Sequence, residues 1–223
     1  MSDAQIRAVL AGCGAMAYGW MREILQIPAV KLVGLVDIRR EAAEALADKF
    51  QLGREIVFGS LDEAIEKTGA QLVFDVTIPA AHYAVVMTAL RHGCHVLGEK
   101  PLSDSLEKAR EMVAAAEEAD RVYAVMQNRR FDSNIRAVRN SIEKGTIGAV
   151  EEVHADFYIG AHFGGFRDKM DDVLIVDMAI HTFDQARYIC GCDPVSVYCH
   201  SFNPRHSWYR GHASAICIFE MSN

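Results

Sequence analysis

Val9-Leu10-Ala11-Gly12-Cys13-Gly14-Ala15-Met16-Ala17 is the stretch of this sequence that decides the fold. It closes an apolar run that begins at Ile6, passes through a glycine pair, and opens a helix-compatible segment carrying Trp20, Met21, Ile24 and Leu25. A strand that ends in Gly-x-Gly-x-x-Ala and leads into a helix has the layout of a dinucleotide-binding turn. Gly12 lets the chain reverse, Gly14 lets the backbone lie close to a pyrophosphate, and the small Ala17 lets helix pack on strand. The phosphates would rest on amide groups left unpaired at the helix N-terminus. Glycine pairs also occur in plain strand-to-helix turns, so the pattern needs support from elsewhere.

That support comes from the next strand, residues 31–36, which ends in Asp37 at about the 20-residue separation of the dinucleotide fingerprint. A carboxylate there accepts hydrogen bonds from both ribose hydroxyls of an adenosine and repels a 2′-phosphate. Arg39 and Arg40 follow at once and can hold a 2′-phosphate, so NAD is favoured while NADP stays open.

The whole chain narrows the class. Its 223 residues lie between one domain and two, and 51% hydrophobic with 24% charged residues is an ordinary globular composition. A net charge of -7 argues against a nucleic-acid partner, which calls for a concentrated basic face. No apolar run is long enough to cross a bilayer, and Met1-Ser2-Asp3 lacks the basic and apolar character of a signal segment. A soluble, cytoplasmic protein is expected. Cysteines 13, 94, 190, 192, 199 and 217 show no disulfide framework, and Cys190-Gly191-Cys192 lacks the second paired cluster of a metal site. They read as loop or core thiols, with no metal implied.

Beyond Asp37 the pattern alternates. Helices are expected over residues 39–50, 60–67, 80–92 and 104–119, with Ser60 and Glu63 forming a capping box and Asp104 with Glu107 capping the last. Strands are expected at 56–58, 72–76, 94–97 and 122–126. Such alternation implies a parallel sheet with right-handed crossovers, whose ligands sit outside the carboxyl ends of the strands. Gly12, Asp37, Thr77 to Pro79, Glu99 to Pro101 and Gln127 to Arg130 fall at those ends.

From Asn128 the character changes. A helix over 133–144, alternating strands at 150–160, 195–202 and 213–221, a Gly-rich loop at 161–172 and a helix over 173–188 make a second, α+β domain. The expected domains are residues 1–126 and 127–223.

In the helix over 173–188, Asp177 and His181 are four apart and share a face. A histidine titrating near neutrality can take the proton of an alcohol as hydride leaves its carbon, and a carboxylate can stabilise the resulting cation. The same spacing also describes an ordinary surface pair. Lys100 stands at a strand end, on the rim where a cofactor lies, with its backbone fixed by Pro101. A cation there can orient a substrate hydroxyl and lower its pKa.

Gly12-Cys13-Gly14-Ala15-Met16-Ala17, Thr77-Ile78-Pro79 with His82, Val96-Leu97-Gly98-Glu99-Lys100-Pro101, Asn128-Arg129-Arg130-Phe131 and Asp177-Met178-Ala179-Ile180-His181-Thr182-Phe183-Asp184 together resemble the Gfo/Idh/MocA oxidoreductase family. The resemblance runs in order along nearly the whole chain, and the Asp-Met-Ala-Ile-His form is most similar to inositol dehydrogenase-like members. It implies an α/β protein: an N-terminal NAD(P)-binding Rossmann domain, then an α+β domain on an open, mostly antiparallel sheet. It further implies NAD(P)-dependent redox chemistry on sugars, inositols and related cyclic polyols. Family roles fall on Lys100 as the substrate-orienting lysine, Asp177 as its acidic companion and His181 as the proton-transferring base. The cofactor would be held by Gly12, Gly14, Ala15, Met16, Asp37, Ile38, Arg39, Thr77, Ile78, Pro79, His82, Glu99, Lys100 and Asn128.

Arg130, Tyr158 and His162 are candidate substrate contacts, whereas His154, His200, His206, His212 and Trp208 read as packing or surface residues. Relatives in the family carry a longer second domain, so a C-terminally truncated chain is expected, with its exposed sheet covered in a homodimer or higher homo-oligomer. Two alternatives stay open: a non-catalytic NAD(H)-binding regulator or inactive fragment, and a redox-assisted elimination or hydrolysis.

Overall fold

The computed structural model describes residues 5–222. The reading of Met1-Ser2-Asp3, and the final Asn223, lie outside them. The chain divides into two compact units, the first ending at Met126 and the second beginning at Gln127.

In the first unit, strands β1 (Ile6–Ala11), β2 (Val30–Val36), β3 (Val57–Phe58), β4 (Leu72–Asp75), β5 (His95–Gly98) and β6 (Tyr123–Val125) alternate with helices α1 (Ala17–Ile24), α2 (Arg40–Lys49), α3 (Leu61–Thr68), α4 (Pro79–Arg91) and α5 (Leu106–Glu118). The six strands form one parallel sheet in the order β3-β2-β1-β4-β5-β6. The chain therefore leaves β1 toward one edge and later restarts beside it with β4, which makes the gap between those strands a topological switch point. Residues alternate across β1: Val9 and Ala11 pack with α3, α4 and α5, while Ala8 and Leu10 pack with α1 and α2. Each fully buried Leu or Met in these layers contributes about 1.5–3 kcal/mol through burial.

Local signals set the helix ends. Ser60 Oγ accepts from the Glu63 amide at 3.1 Å, and Glu63 Oε2 in turn accepts from the Gly59 amide at 3.0 Å. The start of α5 differs from the expected Asp104 cap. Ser105 is the capping residue, accepting from the Lys108 amide at 3.4 Å, while Asp104 is drawn into a 3.0 Å ion pair with Lys108 Nζ. A carboxylate with a lysine four residues on has a competing partner, and the adjacent hydroxyl takes the amide.

The second unit holds α6 (Ser133–Glu143), α7 (Ile180–Cys190), and β7 (Pro194–Phe202) paired antiparallel with β8 (Ser214–Met221). Two sequence expectations fail here. Residues 150–160 form no strand and are almost wholly exposed, for alternation supplies a strand only when a sheet edge accepts its hydrogen bonds. The helix expected over 173–188 opens instead with a π-helical turn, Leu174–Ala179, before regular α7. Such turns are rare and concentrate at functional sites. No helix among the described residues is long and apolar enough to cross a membrane.

Candidate functional site

The carboxyl ends of β1, β2, β4 and β5 carry the first unit's candidate residues. Gly12 has φ +92°, and a Cβ there would stand 2.6 Å from the Val76 carbonyl carbon and 2.7 Å from the Thr77 nitrogen. Glycine is required because backbone meets backbone. At Gly14 a Cβ would meet nothing within 4 Å, so the turn opens onto free space at the start of α1. Asp37 closes the other side of this turn: its Oδ2 accepts from the Cys13 amide at 2.8 Å and its Oδ1 from the Arg39 amide at 2.8 Å. Each carboxylate oxygen has a further lone pair, so both can still accept from a ribose. Burial and the adjacent Asp37 charge push the Cys13 thiol up to about 12, which keeps it protonated and inert.

Around this turn the rim is apolar and exposed. Met16 is 59%, Ile38 fully and Ile78 about half exposed, while Ala15 and Arg39 also face outward. Three large apolar side chains are thus exposed at the strand and helix ends around the glycine turn. Pro79 opens α4.

Behind the rim lies a buried polar group. Thr77 donates through its amide at 3.1 Å and its hydroxyl at 2.6 Å to Asp75 Oδ1, and His82 Nδ1 stands 2.9 Å from Asp75 Oδ2. His82 is 1% exposed, so it stands inside the turn that presents Thr77 and Ile78. Its Nε2 is buried without a hydrogen-bond partner. At the end of β5, Trp20 Nε1 donates to Glu99 Oε1 at 2.7 Å and the Lys100 amide to Oε2 at 3.2 Å, which fixes the start of the Lys100–Pro101 pair. Lys100 itself is half-buried.

In the second unit, Asp177 and His181 are 1% and 6% exposed. Arg167 holds Asp177 through two bonds, Nε to Oδ2 at 2.6 Å and Nη2 to Oδ1 at 3.3 Å, and lies over the rings of Phe163 and Phe166. Nothing in the sequence pointed to Arg167, which sits in a short 3₁₀ helix, Gly165–Lys169, ten residues before its partner. A cleft of about 320 Å³ opens onto Asp177, Arg167, Met178, Trp208 and Tyr209.

Arg130, expected as a substrate contact, pairs with Asp184: Nε donates to Oδ2 at 2.8 Å, Nη2 to Oδ1, and the guanidinium lies 5.6 Å from the Tyr188 ring. It latches the turn Asn128–Phe131, which includes the exposed Asn128, onto α7. His162 bonds Asp168 Oδ1 at 2.9 Å through Nε2 and packs on Trp208 and Tyr209, ring centroids 5.4 and 5.3 Å away. Trp208, read as packing or surface, thus forms an aromatic wall beside the cleft. Tyr158 is 90% exposed on the strandless segment. Among the described residues no group of His, Cys, Asp and Glu is arranged to hold a metal.

Residues 6–127 match the family described as an oxidoreductase family with an NAD-binding Rossmann fold, and residues 135–223 match the GFO/IDH/MocA C-terminal domain. The chain belongs to the Gfo/Idh/MocA family, and its first unit is an NAD-binding Rossmann domain. Among its relatives are a 1,5-anhydro-D-fructose reductase of Ensifer adhaerens, 30% identical over 84% of this chain and 57% of the relative, and a myo-inositol 2-dehydrogenase of Thermotoga maritima, 27% identical over 86% and 57%. The fold is shared with myo-inositol 2-dehydrogenase from Lactobacillus plantarum, TM-score 0.81 at 22% identity, covering 98% of this chain and 67% of that one. A Lactobacillus casei myo-inositol dehydrogenase, solved with NAD(H) and myo-inositol, superimposes with TM-score 0.78 at 24% identity, covering 98% and 64%. The chain spans about half the length of the curated relatives it matches.

Proposed function

We propose that this chain carries the coenzyme domain and the proton-handling residues of a cytoplasmic, homo-oligomeric NAD-dependent dehydrogenase acting on a secondary alcohol of a cyclic polyol or sugar. The observation that carries the reading is the buried Asp177, held by the partly exposed Arg167 on a π-helical turn that lines a cleft, with the buried His181 four residues on at the start of α7. A structural ion pair does not call for a neighbouring buried histidine and a rare helix geometry.

The coenzyme site fits NAD: a glycine turn with free space before α1, Asp37 with acceptor capacity for a ribose, and the apolar rim of Met16, Ile38 and Ile78. Bound NAD+ supplies the nicotinamide carbon that accepts a hydride. Lys100 orients the substrate hydroxyl and lowers its pKa. His181 takes the hydroxyl proton on an imidazole nitrogen, and Asp177, held in place by Arg167, favours the imidazolium. Trp208 gives the C–H face of a ring substrate a flat surface to lie on. Arg39 and Arg40, exposed beside Asp37, leave room for NADP.

The test is a panel of cyclic polyols and aldoses deuterated at the carbinol carbon, incubated with NAD+. Deuterium is expected in the NADH formed, and it is lost in Lys100→Ala and His181→Ala. Tight NADH binding without deuterium transfer from any member would make the chain a coenzyme-binding protein. Release of a leaving group without net NADH would make it a redox-assisted lyase or hydrolase.

A further inference from the structure

Cys199 on β7 and Cys217 on β8 stand directly opposite each other in the antiparallel register, with Tyr198 opposite Ile218 on one side and His200 opposite Ile216 on the other. Their sulfurs are 3.1 Å apart and neither is in a disulfide. Opposed residues of an antiparallel pair have Cα atoms about 4.5–5.5 Å apart, inside the range a disulfide spans, so a bond between them asks for side-chain rotation and little backbone movement. Cys13 and Cys94, by contrast, are buried one by one in the first unit's core.

We propose that Cys199 and Cys217 are a cross-strand dithiol, a modification site at which a peroxide closes an intramolecular disulfide. Cys199 is exposed and is the thiol an oxidant meets. Its sulfur attacks a peroxide oxygen, the O–O bond breaks, and a sulfenic acid and one water (from hydrogen peroxide) result. The Cys217 sulfur then attacks that sulfenic sulfur and displaces the second water, leaving one S–S bond, two thiols oxidised and one peroxide reduced. Burial and the adjacent Cys199 sulfur raise Cys217 to about 11, which leaves the exposed Cys199 as the thiol oxidised first and Cys217, opposite it in the register, as the resolving partner.

Packing on α7 keeps this pair aligned. Phe219 packs edge-on against Phe183 of α7, with centroids 5.0 Å apart, which holds β8 and with it Cys217 in register. Cys217 also lines a cavity of about 590 Å³ shared with Val150, Phe157 and Cys190. Cys190 is therefore the natural rival, either with Cys217 or with Cys192; burial, and after it the nearby Cys192, raises its thiol.

The experiment treats the full chain with hydrogen peroxide under native conditions, quenches free thiols with iodoacetamide, and maps disulfides by mass spectrometry of an unreduced digest. The expected result is a loss of two hydrogens per chain, a peptide pair joining Cys199 to Cys217, and full return of both thiols with dithiothreitol. Cys199→Ser should abolish the linkage, while a Cys190→Ser, Cys192→Ser double variant should leave it intact. Alkylation of both Cys199 and Cys217 after treatment, a bond through Cys190 or Cys192 in their place, or a bond between chains would overturn the proposal. The wild-type map decides even where a variant fails to fold.

Discussion

In the first unit the fully buried large side chains include Leu10, Met21, Leu35, Leu46, Val73 and Met112, packed in two layers against a six-stranded sheet. In the second, the buried positions among the described residues are Val173, Ala179, Asp177, His181 and Asp184, and β7 is exposed along nearly its whole length. One unit is held by apolar burial. In the other, Arg130 on Asp184 and Arg167 on Asp177 act beside the Phe183–Phe219 contact, so the groups that would carry chemistry also carry structure. Stability and function are therefore separable in the first unit and entangled in the second.

The sharpest way to break this comparison is truncation on each side. Leu10→Ala, at a position with no exposure, should cost about 2–5 kcal/mol in urea unfolding. Val197→Ala, at 58% exposure on β7, should stay within about 0.5 kcal/mol. Similar losses at both positions would show that the second unit has an apolar core after all.

Next in size is Asp184→Ala, which strips Arg130 of its carboxylate. Arg130 is partly exposed and can turn to water, so the loss should be about 1–3 kcal/mol, the range for removing one partner of a charged hydrogen bond. Unchanged stability would reduce the latch to a surface pair.

The smallest effect concerns Cys13. Its folded thiol holds a proton up to about 12, whereas the unfolded thiol releases it near 9.0, so this contribution is fully present below about pH 9 and is lost as pH rises toward 12. Denaturation curves at about pH 8 and about pH 10.5 should show the wild type losing more stability than Cys13→Ala. Parallel losses would contradict the burial of this thiol.

The same contrast explains what the sequence made legible. Strand and helix alternation, the glycine turn, Asp37 and the Ser60 capping box all follow from apolar periodicity and turn chemistry, which are local. The position of Lys100 at a strand end followed from the same pattern. Arg167 was invisible because its partner Asp177 lies ten residues on, past a loop without periodicity. The π-helical turn was invisible because its sequence reads as ordinary helix. Arg130's partner was invisible because Asp184 lies 54 residues on, and residues 150–160 alternate without a sheet edge to use the pattern.

His181 is the residue the proposed proton transfer needs most. The direct measurement is the rate of hydride transfer to NAD+ in a single turnover of His181→Ala, run beside wild type with NAD affinity recorded for both. A slowing of about 10²–10⁴-fold with affinity unchanged is predicted, the range for loss of a general base. Transfer at the wild-type rate would contradict it.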